Sequence, residues 1–179
     1  MGLLSILLGR EGAPALTRRR SKPAGDAADQ LRLVMAAPFK RTRLLSKSEL
    51  AVFKVIEAHL PNCGPGLRLM AQPSLGEFVE TPDPQAYRAI NARRVDMLVI
   101  DTFGLPAVAI EHQGSGHYQA DAAARDAIKR EVLRKAGIEY LEIFDHHSEG
   151  DMRRFVGEAI ARNKPPASPS VIPPRPSRS

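Results

Sequence analysis

The sequence contains one cysteine, no tryptophan and only 5% aromatic residues. A single cysteine cannot form an intramolecular disulfide, so nothing indicates an oxidising compartment and we expect a cytoplasmic protein. Cys63 has no cysteine or histidine neighbour at metal-ligand spacing, which argues against a cysteine-based zinc site. Apolar residues make up 43% and charged residues 26%, as in soluble globular proteins.

Long hydrophobic runs are also missing. Residues 1–8 are apolar, but Gly9-Arg10-Glu11 ends the run far short of the roughly 20 residues that a membrane-spanning helix needs. A signal peptide would carry its positive charges before the apolar run, whereas here they follow it. We expect a disordered start, with contact of residues 1–20 with a membrane surface as the alternative.

The net charge of +6 is unevenly distributed. Residues 1–45 contain nine Lys/Arg and three Asp/Glu, whereas residues 46–163 contain fourteen basic and seventeen acidic side chains. The excess therefore belongs to the N-terminal arm, and a nucleic-acid partner is suggested by the arm rather than by a basic folded domain.

The composition predicts three parts. Residues 1–43 form a basic, mostly disordered arm, with a short helix possible near Asp29 to Met35. Residues 44–163 form one folded domain, and residues 164–179 form a proline-rich, extended tail. Pro173-Pro174-Arg175-Pro176 resembles a ligand of proline-binding modules, and a solubilising tail is the alternative.

Hydrophobic periodicity places the elements of the domain. Ser46 and Glu49 have the spacing of a capping box, which predicts a helix that ends before Pro61. Residues 67–79 are consistent with a strand that gives way to a loop at 81–84. Two apolar runs, 95–100 and 107–111, predict a hairpin of two central strands with its turn at Gly104.

The second half of the domain predicts a helix, a strand and a helix. Asp121 to Lys135 has helical composition, with a stop at Gly137, and the apolar side is assigned to Ala124, Ile128, Val132 and Leu133. Ile138 to Phe144 alternates like a strand, and a last helix from about Met152 ends near Asn163. The predicted fold is α/β, in the order α-β-β-β-α-β-α.

Two carboxylates stand out because apolar strands surround them. Asp96 interrupts one apolar run and Glu111 ends the next, so each needs a cationic partner. Two carboxylates from paired strands, with a main-chain carbonyl such as that of His112, supply the oxygen ligands that Mg²⁺ prefers. The alternative is that Asp96 pairs with Arg93 or Arg94 and Glu111 caps a strand end.

A longer pattern connects these residues to a known superfamily. It comprises Arg94-Val95-Asp96, Ala109-Ile110-Glu111, Gly114, His117, Arg125-Asp126, Lys129, Leu133 and Gly137-Ile138. The pattern resembles the very-short-patch repair endonuclease-like branch of the PD-(D/E)XK, or restriction endonuclease-like, superfamily. It is most similar to an uncharacterised bacterial family, domain of unknown function 2726. The resemblance spans about Leu44 to Phe144 and implies a central mixed sheet of about four strands with flanking helices.

The resemblance also implies a site and a substrate. Asp96 and Glu111 match the metal-binding carboxylates, for Mg²⁺ or Mn²⁺, and Glu49 matches a helix residue that contacts the metal or positions a ligand. A substrate cleft is implied for four further residues: Arg94, His117, Arg125 and Asp126. The implied substrate is nucleic acid, DNA rather than RNA.

The sequence departs from the superfamily motif at Gln113, where the motif has lysine. Glutamine cannot act as a general base near neutral pH, but it can orient a water molecule by hydrogen bonds. Lys129 is a candidate to supply the missing charge from the following helix, the alternative being a surface lysine. Two functions follow: a metal-dependent endonuclease, with Gln113 and Lys129 in the catalytic group, and a catalytically inactive nucleic-acid-binding module.

Overall fold

The computed structural model describes residues 26–114 and 120–163, without the side chains of residues 120–123. Three of the predicted features lie outside these residues: the apolar start of the arm, His117 and the proline-rich tail. The chain divides into two compact units, Met1–Arg41 and Thr42–Ser179.

The described part of the first unit is helix α1, Ala27–Ala36. Its N-cap is Asp26, whose side chain accepts a hydrogen bond of 2.9 Å from the backbone N–H of Asp29. The short helix expected near this position is therefore confirmed. None of its residues is buried.

The second unit begins with helix α2, Lys47–Cys63, whose capping box of Ser46 and Glu49 is confirmed. The prediction that this helix ends before Pro61 is wrong, because Pro61 lies inside its last turn. Leu60 is 3% exposed, and the N–H of Gly64 donates to the Leu60 carbonyl, so core packing and a closed last turn outweigh the hydrogen bond that proline lacks.

The single strand expected over 67–79 is wrong in its second half. Strand β1 is Arg68–Ala71, and two short helices follow: α3, Leu75–Phe78, and α4, Pro84–Ile90. The N–H of Ser74 donates to the Glu77 carboxylate at 3.1 Å. Asp83 caps α4 with Pro84 as its first residue. Local cap chemistry therefore prevails over the strand pattern.

Three more strands complete the sheet: β2, Met97–Ile100; β3, Pro106–Gln113; and β4, Glu139–Phe144. The order is β1-β2-β3-β4, with β1, β2 and β3 antiparallel and β4 parallel to β3. The hairpin is confirmed, with Gly104 at φ 81° in its turn, and both of its strands are central. A mixed four-stranded sheet with flanking helices is therefore shown.

Helix α5, Ala120–Lys135, crosses from β3 to β4, and helix α6, Glu149–Arg162, follows β4. The stop at Gly137 is confirmed by its φ of 70°. The predicted apolar side of α5 is wrong in part, because Leu133 is fully buried whereas Ala124 and Ile128 are exposed. Lys129, next to Ile128, lies against the buried Glu111 of β3 instead of the apolar core.

Each face of the sheet has its own apolar cluster. We call the side covered by α2 and α6 the α6 face and the side covered by α3, α4 and α5 the α5 face. The α6-face cluster includes Ile56, Met97, Val99, Val108, Ile110, Ile143 and Val156. The α5-face cluster includes Leu75, Val95, Leu98, Ala109, Leu133 and Ile138. No helix in the described ranges is long and apolar enough to cross a membrane.

Candidate active site

Asp96 and Glu111 lie opposite each other on neighbouring strands. Glu111 is in β3, and Asp96 directly precedes β2. The antiparallel register pairs Met97 with Ile110, and one further step along each strand brings Asp96 opposite Glu111. Since side chains alternate along a strand and Leu98 and Ala109 belong to the α5-face cluster, both carboxylates lie on the α5 face.

Glu111 is buried beside a lysine. It is 6% exposed and is the one buried charged residue among those described. The Nζ of Lys129, from α5, lies 2.7 Å from its Oε1 and 3.3 Å from the Oδ1 of Asp126. This contact is a short ion pair, although its angles are not those of an ideal hydrogen bond. Burial raises the pKa of Glu111 to about 7, against the lowering effect of Lys129.

Asp96 is held by two donors. Its Oδ2 accepts a hydrogen bond of 2.8 Å from the backbone N–H of His112, and its Oδ1 accepts one of 3.3 Å from Nε2 of Gln72. Burial raises the pKa of Asp96, and the nearby negative charge of Glu49 adds to that increase. The His112 N–H, Lys129 and Gln72 each lower it. The negative charges of Asp96 and Glu49 therefore lie close together, and the donors around Asp96 compensate them in part.

Gln72 was missed by the sequence analysis. It has a φ of 54°, the one non-glycine residue with a positive φ in the described ranges, and its backbone N–H donates to the Asp96 carbonyl at 2.9 Å. Such a conformation costs of order 1 kcal/mol and persists only where surrounding contacts enforce it. No local signal could have found it, because Pro73 follows and proline disfavours helical conformations before it.

The side chain of His112 lies on the other face of the sheet. It is 4% exposed, and its Nε2 is 2.9 Å from Oδ1 of Asp145, which follows β4. Alternation from Glu111 predicts this direction, but the pairing with Asp145 depends on the parallel β3–β4 register. One residue thus connects the Asp96 carboxylate, through its N–H, to the end of β4, through its ring.

Gln113 contacts β4 rather than the two site carboxylates. Its Nε2 donates to Oε1 of Glu142 at 3.2 Å, and Arg130 of α5 approaches the same oxygen at 2.5 Å. The amide at the usual lysine position is therefore engaged in a neighbouring ion pair.

The other candidate residues have mixed positions. Glu49 accepts from the Ser46 N–H at 2.6 Å in its capping box, so its carboxylate caps α2 while its charge acts on Asp96. Four residues of the site line one cleft of about 390 Å³ together with Ala92 and Arg93: Arg94, Arg125, Asp126 and Lys129. His117 lies outside the described residues.

Three alternatives weighed on sequence alone are wrong. Asp96 has hydrogen bonds to Gln72 and His112, and neither Arg93 nor Arg94 forms an ion pair with it. Glu111 lies inside β3 and pairs in register with Glu142 instead of capping a strand end. Lys129 is not a surface lysine, because its side chain is 13% exposed.

The donor set fits a small divalent cation in part. Asp96 and Glu111 are opposed carboxylates with raised pKa values and are hard oxygen donors, although Lys129 already supplies one positive charge beside Glu111. Across residues 26–114 and 120–163, no three His, Cys, Asp or Glu side chains are arranged to hold a metal together. Asp96 and Glu111 would thus supply two ligands, and water or substrate oxygens the rest.

Comparison with known proteins identifies relatives but no activity. An uncharacterized protein of Haemophilus influenzae is 43% identical over 134 residues, covering 75% of this chain and 70% of its own. The uncharacterized protein y4bI of Sinorhizobium fredii is 40% identical over 133 residues, covering 74% of this chain and 96% of its own. No solved structure matches the chain significantly. Residues 41–160 match the family described as "Protein of unknown function (DUF2726)", and the chain belongs to that family.

Proposed function

We propose that this chain is a divalent-metal-dependent nuclease with a restriction endonuclease-like, PD-(D/E)XK core, and that it hydrolyses phosphodiester bonds of DNA. The observation that carries the proposal is the placement of Asp96 and Glu111 opposite each other on neighbouring strands, both partly or fully buried, with Lys129 against Glu111. Buried carboxylates are costly to folding, and a buried carboxylate with a raised pKa and a specific charged partner is a candidate for a functional site.

The topology supports the proposed core. Three antiparallel strands are followed by a helix and a strand parallel to the third, which agrees with the mixed sheet of about four strands that the sequence resemblance implies. The residues that the resemblance matches to the motif carboxylates are Asp96, directly before β2, and Glu111, in β3.

Each residue has a role that its contacts support. Asp96 and Glu111 would hold Mg²⁺ or Mn²⁺, and the His112 N–H and the Gln72 amide orient Asp96. When bound, the cation would polarise the phosphodiester and lower the pKa of an attacking water. The ammonium of Lys129 is within reach of the same carboxylate and can stabilise negative charge on the phosphate.

A second function, nucleic-acid binding without hydrolysis, is favoured by one observation. Gln113 replaces the motif lysine, and its amide is engaged with Glu142. Unless Lys129 takes over the missing charge, such a site binds a phosphate without activating a water molecule.

Cleavage assays distinguish the two functions. We expect the full chain to cut DNA slowly with Mg²⁺ or Mn²⁺, and Asp96→Ala and Glu111→Ala to abolish cutting. Lys129→Ala should lower the rate by a factor on the order of 10² if Lys129 stabilises transition-state charge. Gln113→Lys should raise the rate by adding a positive charge near the phosphate. Glu139→Gln is the matched control, because it removes a carboxylate of β4 that pairs with Arg162.

No cutting of single-stranded or duplex DNA or RNA by wild type and by Gln113→Lys would reject hydrolysis. If metal binding were still demonstrated, the binding module would stand. Equal loss of activity in Glu139→Gln and Glu111→Ala would also count against a specific site.

Metal binding has a separate readout. Because a ligand of the native state alone stabilises by mass action, Mg²⁺, Mn²⁺ or Ca²⁺ at 100 times its dissociation constant should add about 2.7 kcal/mol to the unfolding free energy. The melting temperature should therefore rise in wild type and in Glu139→Gln. An equal rise in Asp96→Ala and Glu111→Ala would remove the metal site from the proposal.

A further inference from the structure

The described arginines of the second unit differ in whether a carboxylate lies beside them. On α5, near its C-terminus, and on α6, five guanidinium groups lie 2.5–3.2 Å from carboxylates: Arg130, Arg134, Arg153, Arg154 and Arg162. Arg93 and Arg94 have no carboxylate partner among the described residues, and Nε of Arg93 donates at 2.8 Å to the Ala89 carbonyl. Within the described residues, the arginines of α6 and of the second half of α5 are thus paired with carboxylates, whereas Arg93 and Arg94 are not.

The unneutralised pair lines a cleft next to the candidate active site. Arg93 and Arg94 line a space of about 390 Å³ together with three residues of α5: Arg125, Asp126 and Lys129. Lys129 connects the cleft to the candidate active site, because its side chain lines the cleft and its ammonium lies 2.7 Å from Glu111. A ligand in the cleft is thus one side chain away from the buried carboxylates.

The backbone that carries the two arginines is fixed. The N–H of Arg93 donates to the Ile90 carbonyl, and the carbonyl of Arg93 accepts from the Leu75 N–H at 2.7 Å. Arg94 forms an isolated antiparallel β-bridge with Ser74. Val95, which follows, is fully buried. Two adjacent positive side chains therefore project from a rigid support, which lowers the entropic cost of binding an anion.

We propose that this cleft binds a backbone phosphate of a nucleic-acid strand, next to the phosphate that is cut. The proposal rests on the proposed function for its ligand, and it adds Arg93, which the sequence analysis did not assign to the site. Guanidinium groups match phosphate oxygens with two parallel hydrogen bonds. The cleft is open to solvent along exposed Arg94 and Arg125, as a passing polymer requires.

Binding measured without catalysis tests the proposal. A fluorescently labelled single-stranded DNA and its duplex are titrated with the full chain in EDTA at several salt concentrations, using Arg93→Gln, Arg94→Gln and the double variant. Each single variant should weaken binding about tenfold, as loss of a charged hydrogen bond does. In the single-strand titration, the double variant should also reduce the slope of log K against log salt by about 0.7 for each lost phosphate contact.

Arg153→Gln is the matched control, because it removes the same charge from α6, on the other face of the sheet, where Arg153 pairs with Glu149. Arg94→Lys should recover part of the affinity, and circular dichroism verifies that all variants fold. Inorganic phosphate at millimolar concentration should compete weakly; competition as effective as that of the oligonucleotide would overturn the assignment to a polymer.

Binding by Arg93→Gln and Arg94→Gln equal to that of Arg153→Gln would overturn the cleft proposal even if wild type cuts DNA. Conversely, weakened binding in the two cleft variants supports the cleft even if wild type cuts nothing. The failure of the cleft proposal and the failure of the nuclease proposal are therefore distinguishable.

Discussion

The two faces of the sheet are built from the same strands but differ in chemistry. On the α6 face, Met97, Val99, Val108 and Ile110 are all fully buried. On the α5 face, Leu98 and Ala109 are buried too, but the next residues on that face are the carboxylates Asp96 and Glu111. The α6 face is apolar as far as Met97 and Ile110, and His112 follows with Asp145 as its partner, whereas the α5 face carries two carboxylates next to Lys129 of α5.

This difference shows how one hairpin can serve stability and chemistry together. Because side chains alternate, Ile110 and Glu111 are neighbours in the chain but belong to opposite faces. Apolar burial on one face contributes the free energy that offsets the buried carboxylates on the other. We expect substitutions on the two faces to affect different properties.

The largest effect on stability should come from the apolar face. Ile110→Ala leaves a cavity in the fully buried α6-face cluster and should lower the unfolding free energy by about 4 kcal/mol. Glu142→Gln, on the α5 face, weakens an ion pair with half-exposed Arg130 and should cost at most about 1 kcal/mol. Urea denaturation measures both, and equal losses would show that the two faces do not differ in this way.

A somewhat smaller effect is expected from the pH dependence of Glu111. Its pKa is about 7 in the folded protein against an ordinary 4.5, so between these values the folded state binds more protons than the unfolded state. The contribution of Glu111 to the unfolding free energy, measured in EDTA, should therefore be largest below pH 4.5. It should fall by about 3 kcal/mol as the pH rises from 4.5 to about 7, and it should level off above 7.

Glu111→Gln isolates this contribution, since glutamine does not titrate. Between pH 4.5 and 7.5, its unfolding free energy should lose about 3 kcal/mol less than that of wild type. Parallel stability curves for the two proteins would contradict the raised pKa. Glu139→Gln, the more exposed carboxylate of β4, should follow wild type.

The smallest effect should come from Gln72. Gln72→Gly relieves the positive φ and Gln72→Ala does not, while both remove the side-chain hydrogen bond to Asp96. The glycine variant should therefore be more stable than the alanine variant by about 1 kcal/mol in urea denaturation. An alanine variant of equal or greater stability would mean that the backbone at position 72 is not strained.

Most elements could be predicted because their signals are local. The capping box at Ser46, the turn glycine Gly104 and the helix-ending glycine Gly137 each act within a few residues, and the structure contains all three. The strand predicted over 67–79 was wrong in its second half, because the helix caps at Ser74 and Asp83 outweigh the hydrophobic pattern. Ile128 was assigned to the core because periodicity does not reveal where a helix extends beyond it.

The candidate site could be predicted only as a set of residues. Asp96 and Glu111 stand out because charges in apolar runs need partners, and Lys129 was a candidate on the following helix. Which groups meet depends on distant pairings. Lys129 reaches Glu111 because α5 packs over the sheet, and Gln72 reaches Asp96 across 24 residues of chain.

The sequence by itself determined that two carboxylates would lie on adjacent strands of an α/β domain, because the alternation of side chains along a strand, helix caps and turns each depend on residues close together in the chain. Only the tertiary structure decided that Lys129, and not Gln113, neutralises Glu111, and that Arg93 and Arg94 lie beside them without carboxylate partners among the described residues. The physical reason is that an ion pair depends on the distance between its groups in space, and the packing of α5 and the loop before β2 against the sheet sets that distance.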